Sequence, residues 1–356
     1  MNSGKPKYLK LYETLRDEII HGAWPYGARL PSRRQLANDR GLSVITVEHC
    51  YELLCQEGYA ESVPRSGIFV RYRPTDGFAA SERAPASLSL PATGGEPPQA
   101  LPFPTLARVM RRVLSDYGEA ILNKPPNAGC LQLREAICRY LARNRGMRVE
   151  PDEVVIGAGA EYLYGLVVEM LGRDRVYAIE SPSYEKIELV YRARGVTCDL
   201  LPLGQDGILS VPLARTRASI LHITPFRSFP SGVTASASKR MEYLRWASMG
   251  DRFIVEDDFE SEFSLLRKPE ETVFSLSDRE NVIYLNTFSR TVSPSIRVGY
   301  MVLPRRLAPL YRERAGFYSC TVPAYEQFVL AELLENGDFE RHINRIRRQK
   351  RRGGAQ

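Results

Sequence analysis

The stretch "NVIYLNTFSRTVSPSIRVGYMVLP" runs from Asn281 to Pro304. Val282–Leu285 reads as a buried strand, an uncharged apolar run of the kind found in parallel sheets. It leads into a small-polar loop, Thr287-Phe288-Ser289. Arg290 follows, and then Arg297. Hydroxyls and backbone N–H groups that converge on one point hold phosphates.

The sequence around it has the same grammar. "EVVIGAG" precedes "EYLYGLVVEML", "RVYAIESPS" precedes "YEKIELVYRARG", and "RFIVEDD" ends a further apolar run in acids. Short strands alternating with amphipathic helices predict an α/β fold with a mostly parallel sheet and sites at the strand C-terminal ends. Upstream, "RPTDGFAASERAPASLSLPATGGEPPQALPFP" (73–104) is dense in Pro, Gly, Ala and Ser, the composition of a linker or extended arm. Before it lies a smaller helical segment.

The totals bound the possibilities. A chain of 356 residues, 44% hydrophobic, suggests two or three domains. No run approaches the roughly 20 apolar residues of a membrane helix. "MNSGKPKYLKLYETL" has no apolar leader segment. The six cysteines form no CxxC pair and the four histidines no ligand spacing. A cytoplasmic chain with reduced thiols, no metal and no membrane partner is expected. The net charge of +7 is matched by the seven Lys/Arg of the acid-free tail 341–356, which reads as a solvated helix face.

In the N-terminal segment, apolar residues at 8, 9, 11, 12, 15, 19 and 20 have helical spacing, closed by Gly22. Ser32 then caps a second helix that Gly41 ends. Ser43 caps a third, with Val47, Tyr51, Leu54 and Cys55 facing inward. "YAESVPRSGIFVRY" gives two short strands around Arg65-Ser66-Gly67. This stretch resembles the winged helix-turn-helix of GntR-type bacterial transcription regulators. The matches are Leu30-Pro31-Ser32-Arg33-Arg34, Leu36-Ala37, Gly41-Leu42-Ser43, Thr46-Val47, Tyr51–Leu54, Glu57-Gly58-Tyr59 and Ser66–Val70. The resemblance implies double-stranded DNA as partner, with the Ser43–Glu57 helix in the major groove. Contacts are expected from Arg33, Arg34, Ser43, Val44, Thr46, Arg65 and Ser66. Two positions depart from the family. Val44 replaces a frequent arginine, losing a guanine-reading fork while offering a surface for a thymine methyl. Arg65 replaces a wing glycine and adds a cation.

The remainder resembles the large domain of fold-type I aminotransferases, which use pyridoxal phosphate. Joined to the winged helix, it resembles MocR/GabR-type regulators. The resemblance divides the chain into a DNA-binding domain (1–72), a linker (73–86) and an aminotransferase-like domain (87–356). It implies a homodimer, an unidentified small-molecule effector, and a cofactor site of Ala160, Glu161, Tyr184, Asp257, Thr287, Ser289, Arg290 and Arg297. Ala160 and Glu161 open a helix toward the phosphate. Tyr184 stacks on the pyridine, Asp257 pairs with its nitrogen, and Thr287, Ser289 and Arg297 take the phosphate.

The departures concern chemistry. Arg290 stands where the family has the lysine that bonds to the cofactor, and a guanidinium effectively never deprotonates to form a Schiff base. Phe259 replaces a tyrosine that anchors the cofactor's phenolic oxygen. "FRS" (226–228) puts Arg227 near the pocket, and Lys124 stands about where a partner-subunit tyrosine reaches the phosphate. The chain stops before the family's small domain with its substrate-binding arginine. The reading is a DNA-binding regulator, not an enzyme, with pyridoxal phosphate or a related anion held only non-covalently. The alternatives are a working aminotransferase with a DNA-binding appendage, and a decayed scaffold that binds no ligand.

Overall fold

A computed structural model describes residues 6–73, 100–258, 261–264, 270–278 and 280–353. The chain divides into two compact units, Met1–Thr93 and Gly94–Gln356. The expected linker lies, beyond residue 73, outside the described residues.

The first unit contains α1 (Lys7–Ile20), α2 (Arg33–Arg40), α3 (Val44–Gln56), β1 (Ala60–Val63) and β2 (Gly67–Val70). The Ser32 hydroxyl accepts the Gln35 N–H at 3.2 Å, and Gly41 ends α2 in the left-handed region at φ 61°. Ser43 caps α3 in the same way through the Thr46 N–H, also at 3.2 Å. The buried residues of α3 are Val47, Cys50, Tyr51 and Leu54. Their i, i+3, i+4, i+7 spacing is one helix face, so Cys50 takes the core position expected of Cys55, which is only half-buried. These residues pack on Leu11, Leu15 and Ile19 of α1 and on Leu36. β1 and β2 pair antiparallel, with Ala60 opposite Val70 and Val63 opposite Gly67. Gly67 is at φ +124°, and a Cβ there would lie 2.8 Å from Arg29 Nε, so the turn into β2 requires glycine.

The second unit begins with α4 (Phe103–Tyr117) and α5 (Leu131–Arg145). It continues through β3 (Val154–Gly157), α6 (Ala160–Leu171), β4 (Val176–Ser181), α7 (Glu185–Ala193), β5 (Thr197–Gly204), β6 (Gly207–Ile208), α8 (Ser210–Arg215) and β7 (Ile220–Ile223). Then come α9 (Ala237–Ala247), β8 (Phe253–Asp257), α10 (Val273–Leu276), β9 (Val282–Thr287), β10 (Gly299–Val302), α11 (Leu307–Arg314), α12 (Ala324–Glu335) and α13 (Asp338–Gly353). The strands form one eight-stranded sheet in the order β3-β10-β9-β8-β7-β4-β5-β6. The central run from β9 to β5 is parallel, and β10 and β6 pair antiparallel with their neighbours. The strand from Val282 extends to Thr287, past the expected Leu285, because Thr287 still pairs with Gly299 of β10.

Both faces of the sheet are covered. Ile254, Val282 and Tyr284 enter one core, and Phe253, Val255, Ile283 and Leu285 enter the other. This is the period-2 alternation of a strand buried on both sides. The chain runs from β4 to β5 and then returns to place β7 on the other side of β4. That reversal opens a crevice at the C-terminal ends of the parallel strands.

The acids that end β8 follow the same alternation. Glu256 turns into the first core, where its carboxylate accepts the N–H groups of Val273 (2.8 Å) and Phe274 (2.7 Å) at the start of α10. Asp258 turns the same way, accepting the Tyr284 hydroxyl at 2.8 Å and lying 3.4 Å from the buried guanidinium of Arg145. Arg145 also lies 3.8 Å from Glu262. Asp257, between them, points to the opposite face.

Candidate ligand pocket and DNA-reading surface

A cavity of about 500 Å³ lies at this crevice. Tyr184 comes from the turn after β4, Thr224 from the end of β7, Asp257 from β8 and Thr287 from β9. Ser289, Arg290 and Arg297 come from the loop between β9 and β10, and Ala160 and Glu161 from the first turn of α6. All eight residues expected of a cofactor site therefore line one cavity. Phe259 lies outside the described residues, and Arg227 joins the lining as expected.

Asp257 is 3% exposed. Its Oδ2 accepts the hydroxyl of Tyr164 and lies 3.8 Å from His222 Nε2. Its Oδ1 is buried and has no hydrogen-bond partner among the described residues. A buried carboxylate oxygen left unpaired is costly, and at the wall of a cavity it marks where a donor from a ligand would sit. Tyr191 holds His222 from behind through Nδ1 at 2.8 Å, and burial pushes the Tyr164 and Tyr191 hydroxyls well above the ordinary tyrosine range. They serve as neutral hydrogen-bonding groups.

The opposite end of the cavity suits an anion. The first N–H groups of α6 have no partner inside their own helix and carry its positive end. Gly159, at φ +85°, lets Arg297 approach the turn, since a Cβ there would lie 3.2 Å from Arg297 Nη2. Arg297 lies 3.6 Å from one oxygen of Glu161, and Lys186 bonds the other at 2.9 Å. Ser289 donates to the Ile296 carbonyl at 2.8 Å, bracing the loop. Tyr184 is exposed and meets Phe229 edge to face, ring centroids 6.4 Å apart. Behind this wall Ser228 donates to the buried Glu180 at 2.8 Å, and burial pushes the Glu180 carboxyl up to about 8.

Tyr164, His222, Thr224 and Phe229 were not among the expected site residues. Tyr164 lies one helical turn after Ala160, so helical period alone could have flagged it. A histidine inside the apolar run "ILHI" was the available signal for His222.

In the first unit, Arg33, Arg34, Ser43, Val44, Arg65 and Ser66 are exposed and Thr46 is half-buried. Arg65 adopts φ 61°, uncommon for a residue with a side chain, at the turn between β1 and β2.

The sequence profile described as "Bacterial regulatory proteins, gntR family" matches residues 7–70. The chain is 31% identical to the HTH-type transcriptional regulator YdeL of Bacillus subtilis, over 98% of its own length and 78% of that protein. It is 30% identical to the probable rhizopine catabolism regulatory protein MocR of Rhizobium meliloti, over 96% of its length and 74% of that protein. The chain belongs to the MocR-type regulators of the GntR family.

MocR-type regulators are DNA-binding transcription regulators, and this chain has their two-part construction. The sheet unit has the aminotransferase fold. It is similar to the α-aminoadipate aminotransferase LysN of Thermus thermophilus, with TM-score 0.62 and 28% identity over 71% of this chain and 66% of that structure. LysN was solved with a phosphopyridoxyl-leucine adduct. The cavity of this MocR-type chain fits such a group. The unpaired Oδ1 of Asp257 suits a pyridinium N–H, and the α6 N-terminus with Arg297 suits a phosphate. When bound, pyridoxal phosphate supplies an electrophilic aldehyde and an electron-withdrawing ring. Among the described residues no helix is long and apolar enough to cross a membrane, and no group of three or more His, Cys, Asp or Glu is placed to hold a metal.

Proposed function

We propose that the large unit senses a ligand and does not transform one. It holds pyridoxal phosphate, or a related phosphorylated aromatic anion, by non-covalent contacts. The chain acts in the cytoplasm as a homodimer whose two winged helices grip two half-sites of an operator. One observation carries the non-covalent reading: no lysine is among the described residues that line the cavity. Arg290 lines it instead, and a guanidinium offers no unprotonated amine. Lys186 lies outside the lining, and its hydrogen bond to Glu161 raises its pKa and keeps it an ammonium. The eight lining residues are the proposed contacts, with Asp257 at the ring nitrogen and Ala160, Glu161, Thr287, Ser289 and Arg297 around the phosphate. Tyr184 packs on the ring and Arg290 supplies a further cation. Sensing needs only that the ligand bind two protein states unequally.

The test is a pyridoxal phosphate titration of the purified chain followed by visible absorbance, then borohydride reduction and intact-mass measurement. Saturable binding with no reduced adduct is expected, and Arg290→Lys should acquire the adduct. A reduced adduct on a cavity residue of the unaltered chain would overturn the proposal. No saturable binding would leave the unit as a dimerisation scaffold.

A further inference from the structure

The α3 helix has the position of a DNA-reading helix, yet it carries no lysine or arginine. Its sequence, VITVEHCYELLCQ, includes two glutamates and one histidine. Glu48 is paired with Arg33 at 3.5 Å. The hydroxyls nearest the helix start are committed to each other and to the cap. Ser43 Oγ accepts the Thr46 N–H at 3.2 Å and lies 2.8 Å from Thr46 Oγ1. What projects from the first turn is aliphatic, with Val44 42% exposed and Ile45 65% exposed. Neither belongs to the core face, which runs through Val47, Cys50, Tyr51 and Leu54. Two adjacent branched side chains held in solvent at the end of a helix that meets the duplex have one apolar feature to meet there. The C5-methyl group is the apolar mark that a base displays on the major-groove edge.

We propose that Val44 and Ile45 are the base-reading residues of this winged helix, and that they read thymine methyl groups. The two functions of the surface are then divided between elements. Arg33 and Arg34 at the start of α2, and Arg65 in the wing, are exposed and hold phosphates, which fixes register without reading sequence. The cation-free first turn of α3 reads methyls, and guanine-specific forks from this helix are absent.

The test begins with selection of a binding duplex from a random-sequence library by the full chain. Each thymidine of the enriched duplex is then replaced singly by deoxyuridine, which removes the methyl and nothing else, and binding is measured by competition. At one or more positions the loss should be about fourfold for a buried methyl. In Val44→Ala and Ile45→Ala the thymine-to-uracil ratio at those positions should fall toward one. The uracil series uses the unaltered chain, so it stands whether or not a variant folds. An enriched duplex in which no thymine-to-uracil change weakens binding would overturn the proposal, as would a ratio that persists in the Val44→Ala/Ile45→Ala double variant.

Discussion

Asp257→Asn isolates the charge at the floor of the cavity while leaving its shape. The Tyr164 hydroxyl can still donate to the amide oxygen, so the side chain keeps its orientation. The atom facing the cavity changes from a carboxylate oxygen, buried and unpaired, to an amide nitrogen. A hydrogen bond to a charged partner contributes about 1.5–3 kcal/mol, which converts to roughly 10- to 150-fold in affinity. Because Asp257 is 3% exposed, solvent screening does not reduce that figure much. Pyridoxal phosphate, titrated by absorbance or calorimetry at neutral pH, should therefore bind Asp257→Asn weaker by that factor. The unfolding midpoint of the ligand-free chain should stay level or rise, since the variant removes a buried charge with one unsatisfied oxygen. An affinity within about twofold of the unaltered chain would refute the assignment of Asp257 to the ring nitrogen.

Two further outcomes test the frame around the pocket. Arg145→Ala leaves Asp258 and Glu262 buried without their cation, and should lower the unfolding free energy by about 3–5 kcal/mol in urea titration; a loss below about 1 kcal/mol would show that this buried cluster does not hold the fold. Glu180 has its pKa raised from 4.5 to about 8 in the folded chain, so its neutral form stabilises fully below pH 4.5, and that contribution fades as the pH rises toward about 8. Glu180→Gln should accordingly gain stability relative to the unaltered chain between pH 5 and pH 8, measured by unfolding at each pH, and a constant gap would mean that Glu180 is ionised throughout.

Much of this architecture is legible in the sequence. The strands Val154–Gly157 and Phe253–Asp257 announce themselves by the apolar runs Val154–Ile156 and Phe253–Val255, ended by a turn glycine or by acids, because burial on both faces favours apolar residues. Residues at the ends of such strands fall on one edge of a parallel sheet, while the choice of Tyr184, Asp257, Thr287 and Arg297 among them rests on the resemblance to aminotransferases. The rest depended on order across the sheet. His222 meets Asp257 because β7 is inserted between β4 and β8, and neighbouring strands distant in sequence leave no local mark. Thr287 continued a strand because of its partner on β10, and Cys50 replaced Cys55 because helical phase is set by the faces that α1 presents. The exposure of Ile45 was equally invisible, since an isoleucine beside a valine reads as core until the helix is placed.

Glu256, Asp257 and Asp258 are neighbours in the chain and strangers in space. The outer two are tied into the scaffold, one by the start of α10 and the other by Arg145 and Tyr284. The middle one meets the cavity. A substitution at 257 therefore alters the cavity wall and the Tyr164 hydrogen bond while leaving the ties of Glu256 and Asp258 in place. A one-residue insertion in β8 would do the reverse, sending a cavity acid into the core and a core acid into the cavity. β8 is thus a fixed frame that presents one replaceable part to the cavity.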